Sequence, residues 1–177
     1  NNPELDPYRP PAKRAAFVRE VLRRASSLPG VRYAAVGAGN AVPLLGPHFT
    51  GTFTVEEKAE ADAGQPTGQF SSVSPEYFRA LGTPLVRGRF FADSDSADSQ
   101  RVALVDNAAA RRFWPGRDPV GQVIYVHTWH PTSPPPPVPL RIVGVAADRA
   151  RRPRDAGPPL ALYVPWQQRY SQQLDVI

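Results

Sequence analysis

Alternating apolar and polar positions predict a chain that mixes helices with short strands. Over residues 12–28, apolar side chains recur at helical spacing, and Pro29-Gly30 ends the predicted helix. The predicted packing face of this helix consists of Phe17, Val21, Ala25 and Leu28. Short apolar runs bounded by turn-forming residues predict strands over 31–39, 49–55, 69–73, 101–106, 122–126, 140–147 and 160–164, and a strand or turn over 85–91. Because helices and strands do not alternate strictly, we expect an α+β fold with mixed sheets and a few short helices.

Two further helices are predicted between strands. Ser74 is the predicted N-cap of a helix that starts at Pro75 and ends at Gly82, and Asn107 is the predicted cap of a helix over 108–114. Both predictions follow from the tendency of short polar side chains to bond the free N–H groups of a first helical turn.

Composition narrows the function classes. The chain has 177 residues, 22 of them proline, and it has no cysteine, which excludes disulfides, thiol catalysis and cysteine-bound zinc. The formal net charge is +5, which allows an anionic partner. No apolar run reaches the ~20 residues of a membrane-spanning helix, and no signal-peptide pattern is visible.

Candidate metal ligands and catalytic groups are sparse. Asp93, Asp95 and Asp98 lack the glycine and glutamate of a calcium-binding loop, so we expect a solvated loop. His127 and His130 would need a third ligand from elsewhere to hold a metal. Neither a G-x-S-x-G nor an S-x-x-K motif is present, and we predict neither a metal site nor catalytic residues.

Two features are candidates for contact with phosphate groups, although we favour a glycine-containing strand end for the first and a solvated loop for the second. Gly37-Ala38-Gly39 follows a predicted strand, but Val42 replaces the third glycine of a dinucleotide-binding loop and Pro43 opposes a helix there. The densest basic run consists of Arg149, Arg151, Arg152 and Arg154. A stand-alone basic module that binds nucleic acid is therefore the alternative hypothesis.

Several stretches together resemble a known family. They are VSPEYFRALG at 73–82, LVRGRFF at 85–91, VALVDN at 102–107, RRFWPG at 111–116, DPVG at 118–121, LRIVGVAAD at 140–148 and LYVP at 162–165. In order and spacing they resemble the MacB-like periplasmic core domain of FtsX-like ABC transporter permeases, with a resemblance that extends over about residues 8–168.

The resemblance implies an organisation for the chain. Residues 1–177 would be a fragment forming one periplasmic core domain with two lobes. The membrane-proximal lobe would comprise about residues 1–55 and the C-terminal strands, and the outer lobe about residues 68–150. Membrane helices of the parent permease would precede Asn1 and follow Ile177.

The resemblance also implies a role. The domain would lie on the periplasmic face of the bacterial inner membrane, carry no catalytic residues and hold no cofactor, because a separate cytosolic nucleotide-binding domain would use the ATP. It would transmit ATP-driven movement to a periplasmic adaptor, a lipoprotein or a cell-wall hydrolase, and no nucleic acid is expected as a partner.

A proline-rich segment over 127–139 is the predicted partner-contact site. A stiff polyproline stretch loses little conformational entropy when it docks on a partner. The contact residues that we predict within it are Trp129, His130, Pro135 and Pro136.

Overall fold

The computed structural model describes residues 11–39, 41, 50–55, 66–127, 136–148, 160–169 and 174–177. Nine strands and three helices occur among these residues. The helices are α1 (Pro11–Ser26), α2 (Tyr77–Ala80) and α3 (Asn107–Phe113). The strands are β1 (Val36–Gly39), β2 (Thr50–Thr54), β3 (Thr67–Val73), β4 (Leu85–Gly88), β5 (Val102–Asp106), β6 (Val123–His127), β7 (Val138–Ala146), β8 (Leu160–Pro165) and β9 (Asp175–Val176). The sheet is mixed, since β3 runs parallel to β8 and β5 parallel to β7, and this confirms the predicted α+β class.

Six of the strands close into a ring. Strand β2 pairs with β6 on one edge and β3 on the other, and the order β2-β6-β7-β5-β8-β3 returns to β2. One edge of β3 is shared, because its first residues pair with β2 and its last three with β1. Strand β1 then pairs with β9, and β4 pairs with the end of β7. The ring is therefore a small barrel with two short extensions.

The inside of the ring is an apolar core. Each of the six strands contributes at least one buried side chain to it, among them Phe53, Phe70, Val105, Ile124, Ile142 and Leu162. Helix α3 packs on the same core through Ala109, Ala110 and Trp114. The ring of Phe113 lies edge-on to that of Phe53, with 5.2 Å between centroids, so α3 closes one end of the barrel.

A second core covers the outer face of β5 and β8. Tyr77 and Phe78 of α2 are fully buried there, and Phe78 lies 4.9 Å from Tyr163 of β8 and 4.9 Å from Phe90 between ring centroids. The aromatic residues of the 73–91 motif region are therefore packing residues.

Helix α1 forms where predicted but packs on a different face. Ala15 and Val18 are buried against Trp166, whereas Phe17 and Leu28 are 51% and 59% exposed. The predicted face was wrong because Trp166, which follows β8, determines which side of the helix is covered, and helical spacing alone carries no information about that contact.

The helix caps also differ from prediction. The buried Ser74 hydroxyl accepts a hydrogen bond from the N–H of Val36, at 3.0 Å, so it joins β1 and does not cap α2. The carboxylate of Asp106 accepts from the N–H of Ala109 at 2.8 Å and caps α3, one residue before the predicted Asn107. The Ser74 hydroxyl is thus bound by a residue distant in sequence, whereas the cap of α3 shifts by a single residue.

Candidate partner-contact surface

The predicted partner-contact segment is described only at its ends. Pro136 is exposed, just before β7, while Trp129, His130 and Pro135 lie outside the described residues. The role of all four residues therefore stays a prediction.

The two ends of this segment stand on neighbouring strands. Val126 of β6 pairs directly with Val138 of β7. Next to it, the Nε2 atom of His127 lies 3.3 Å from the Oγ1 atom of the buried Thr54 on β2. The segment thus leaves and re-enters the barrel at one point, at the end opposite α3.

A cavity opens at this same end of the barrel, and we call it the mouth cavity. Its volume is about 160 Å³. Its apolar lining consists of Phe70, Val126, Val138, Leu140 and Val164, and its polar lining of Arg101, Gln168 and Arg169. Strands β6 and β8 end here, β5 and β7 begin here, and β3 contributes Phe70 to the lining.

Arg169 is held against the aromatic wall of the mouth cavity. Its guanidinium carbon lies 5.5 Å from the centre of the Phe70 ring, and its backbone carbonyl accepts a 2.7 Å hydrogen bond from the hydroxyl of Ser72. Burial lowers the pKa of Arg169, but an arginine remains protonated at physiological pH. A positive charge is thus positioned beside an apolar surface.

Gln168 fixes a neighbouring loop to the mouth. Its Oε1 atom accepts from the N–H of Val102 at 3.0 Å. Its Nε2 atom donates to Ser96 O, Ser99 Oγ and Gln100 O at 3.0 to 3.1 Å. Since the amide group is occupied by these bonds, Gln168 acts as part of the frame of the cavity.

One aspartate of that loop, Asp95, forms an ion pair. Asp95 is buried, contrary to the expectation of a solvated loop, and binds the Arg89 guanidinium through both carboxylate oxygens at 2.7 and 2.8 Å. Burial alone would raise the pKa of Asp95, but the bonds from Arg89 and from the Ala92 N–H lower it. No cluster of three or more metal-ligating side chains occurs among the described residues.

A second cleft, of about 340 Å³, lies between α3 and β4 at the other end of the barrel. Arg111 pairs there with Asp148 at 3.0 Å, and Arg87 lies 3.9 Å from Asp118. Both cations of this cleft therefore already face carboxylates.

The remaining sequence candidates assemble no site in the described part of the chain. Gly37 belongs to β1, where a side chain would overlap the Cβ of Ala41, so packing explains the glycine. His48, His130 and the basic run over 149–154 lie outside the described residues.

The mouth cavity was missed by sequence reasoning. Its lining comes from four strands that are distant in sequence, and only their pairing brings them together. One signal was available, because a polar stretch, Gln167 to Arg169, comes one residue after an apolar strand.

Comparison with known sequences supports a transporter family. Residues 6–176 match the MacB-like periplasmic core domain. The macrolide export ATP-binding/permease protein MacB of Agrobacterium fabrum is 32% identical over 129 residues, which is 71% of this chain and 17% of that protein. The probable syringafactin export ATP-binding/permease protein SyfD of Pseudomonas syringae is 33% identical over 100 residues, which is 56% of this chain and 14% of that protein. The aligned part is thus about a sixth or less of these two relatives' length.

Solved structures show the same fold. The periplasmic region of MacB from Actinobacillus actinomycetemcomitans matches with a TM-score of 0.57 at 18% identity, covering 85% of this chain and 55% of that one. The extracellular domain of the noncanonic ABC-type transporter YknZ from Gram-positive bacteria matches with a TM-score of 0.51 at 14% identity, covering 83% and 61%.

The described helices include none that is long and apolar enough to cross a bilayer. The family match extends over nearly the whole chain, and the motifs that carry it pack as the cores of the observed fold. The chain therefore belongs to the MacB-like periplasmic core domain family, the periplasmic domain of MacB/FtsX-like ABC transporter permeases.

Proposed function

We propose that this domain transmits ATP-driven movement from a permease to a periplasmic partner during export. The family match over residues 6–176 carries the proposal. Two relatives are named as export ATP-binding/permease proteins, which favours export over lipoprotein extraction or hydrolase control. The partner would be a periplasmic adaptor, and the domain would act without catalysis.

The construction of the domain supports a mechanical role. Every strand of the ring has neighbours on both edges, so a displacement at one strand is shared by the others. The N–H and C=O groups of Ala35 each bond the backbone of Ile177, at 2.9 and 2.8 Å, and thereby tie the stretch after α1 to the stretch around β9. Movement applied near either α1 or β9 would therefore reach the same side of the sheet.

ATP would be used elsewhere in the transporter. We expect a separate cytosolic nucleotide-binding domain to hydrolyse it, with this domain on the periplasmic face of the inner membrane holding no cofactor. The parent permease would hold the domain through membrane helices joined to both of its ends.

Sequencing the gene on both sides of this region tests the assignment. We expect four or more apolar segments of ~20 residues, one ahead of Asn1 and the others beyond Ile177. Polar flanks with a stop codon soon after Ile177 would contradict it.

A coupling assay in the parent permease tests the mechanism. Val18→Asp should detach α1 from Trp166 and so abolish export while ATP hydrolysis continues. Ala16→Asp, two residues away at an exposed position of the same helix, is the matched control and should leave both activities intact. Equal loss of export in the two variants would contradict transmission through α1.

A further inference from the structure

We propose that the mouth cavity binds a small anionic amphiphile, with a short apolar chain inside the barrel end and its acidic head group at Arg101 and Arg169. This site is separate from the proposed transmission of movement, which requires no ligand at this position.

The lining supports the apolar half of the ligand. Phe70, Val126, Val138, Leu140 and Val164 surround the cavity from four strands. With a volume of about 160 Å³, the cavity is well below the ~300–1,000 Å³ of sites for drug-sized molecules. A short unbranched chain therefore fits, and a bulky ring system does not.

The charges support the anionic half. Among the described residues that line the cavity, two contribute guanidinium groups, Arg101 and Arg169, and none contributes a carboxylate. An anion next to an apolar surface gains more from a guanidinium than one in open water, because the local dielectric constant is lower. Charge complementarity thus selects an acid over an alcohol or an amine of the same chain length.

The site is also largely formed before binding. Arg169 is positioned by the Phe70 ring and by the bond from Ser72 to its carbonyl, and Gln168 holds the loop beside the cavity. Side chains that are already ordered lose little entropy when a ligand arrives, which favours affinity.

A titration with octanoate tests the proposal. Binding is followed by NMR of methyl-labelled valine and leucine in residues 1–177. We expect saturable shifts for the methyl groups of Val126, Val138, Leu140 and Val164, while Val86, exposed on β4, should not move. Octanol and octylammonium should bind at least about tenfold more weakly, since they lack the charge-assisted bonds.

Substitutions test the two halves of the site separately. The double variant Arg101→Gln/Arg169→Gln should weaken octanoate binding about 10- to 100-fold. Arg117→Gln, an exposed arginine near α3, is the matched control and should have no effect. Val138→Trp, at a half-buried position of the lining, should fill the cavity and abolish binding.

Several outcomes would overturn the proposal. They are the absence of saturable shifts at the four lining residues, equal binding of octanol and octanoate, and undiminished binding by the double variant. Phosphatidylglycerol vesicles present an acidic head group with long chains. Preferential binding to them would show that the domain binds a membrane surface and not a small ligand in the cavity. These ligand comparisons remain decisive even if a variant fails to fold, because they use the unaltered chain.

Discussion

Gly88 illustrates how a single residue of the family motif serves the fold. Its φ of +72° lies in the left-handed region, and a Cβ there would overlap the carbonyl oxygen of Val143 on β7. Any side chain would therefore meet both backbone strain and a steric clash.

We predict that Gly88→Ala lowers the free energy of unfolding by about 2–5 kcal/mol, the sum of conformational strain and overpacking. Gly116→Ala is the control, since Gly116 has a φ of +73° but open space around its Cα, and it should cost about 1–2 kcal/mol. Urea unfolding of both variants measures the difference. Equal losses would show that the contact with Val143 contributes nothing.

The ionisation of Asp95 makes the free energy of unfolding depend on pH. Its pKa is lowered in the folded state, so the stabilisation by the ion pair with Arg89 is present above the unfolded pKa of about 3.9 and is lost as the pH falls through the folded pKa. Asp95→Asn should reduce the free energy of unfolding by about 1–3 kcal/mol at pH 7, and this deficit should shrink below pH 4.

Chemical denaturation of wild type and Asp95→Asn between pH 2 and 7 measures this dependence. Asp93→Asn, in the same loop and exposed, should show no comparable deficit. A difference between wild type and Asp95→Asn that stays constant down to pH 2 would contradict the role of the ion pair.

Helix α1 shows what sequence periodicity can and cannot determine at the scale of elements. Its extent follows from apolar spacing and from Pro29-Gly30, and the structure agrees to within two residues at either end. Its buried face depends on Trp166, about 150 residues away in sequence, so local spacing could not identify it. The same reason explains why the hydrogen bond of Ser74 was not predicted, because its partner Val36 lies on a strand distant in sequence.

We predict that Val18→Asp in this chain detaches α1, because a carboxylate would be buried against Trp166 without a partner. The detached helix should lose most of its helicity, since isolated helices of this length are marginal in water. Circular dichroism and tryptophan fluorescence, to which Trp166 contributes, report the change. Ala16→Asp, at an exposed position of the same helix, should alter neither signal, and a matching change in that variant would show that the exposed face also docks.

At the scale of the whole molecule, the strands were predictable but their closure was not. Most strand positions agree with the apolar runs, to within a few residues at their ends. The ring depends on β2, whose first three residues pair with β3 and whose last three pair with β6, and no feature of residues 50–54 indicates two partners. The mouth cavity follows from this closure, and for that reason it could not be predicted either.

We predict that the molecule opens in two stages. Strands β5 and β8 contribute to both large cores, whereas the buried residues of α1 belong, within the described part of the chain, to the small cluster around Trp166. Native-state hydrogen exchange should therefore show α1 amides exchanging at a lower free energy than those of β5 and β8. Uniform protection across all three elements would indicate a single cooperative unit.

The direct pairing of Val126 with Val138 has a consequence for how such domains diversify. Their pairing holds the two ends of the intervening segment next to each other, so the barrel itself brings the ends of this loop together. The entropic cost of closing a loop rises only slowly with its length, by about 0.6 kcal/mol for each doubling. Evolution can therefore lengthen, shorten or exchange this segment with little penalty to the scaffold, and a reporter peptide inserted there should be tolerated equally well.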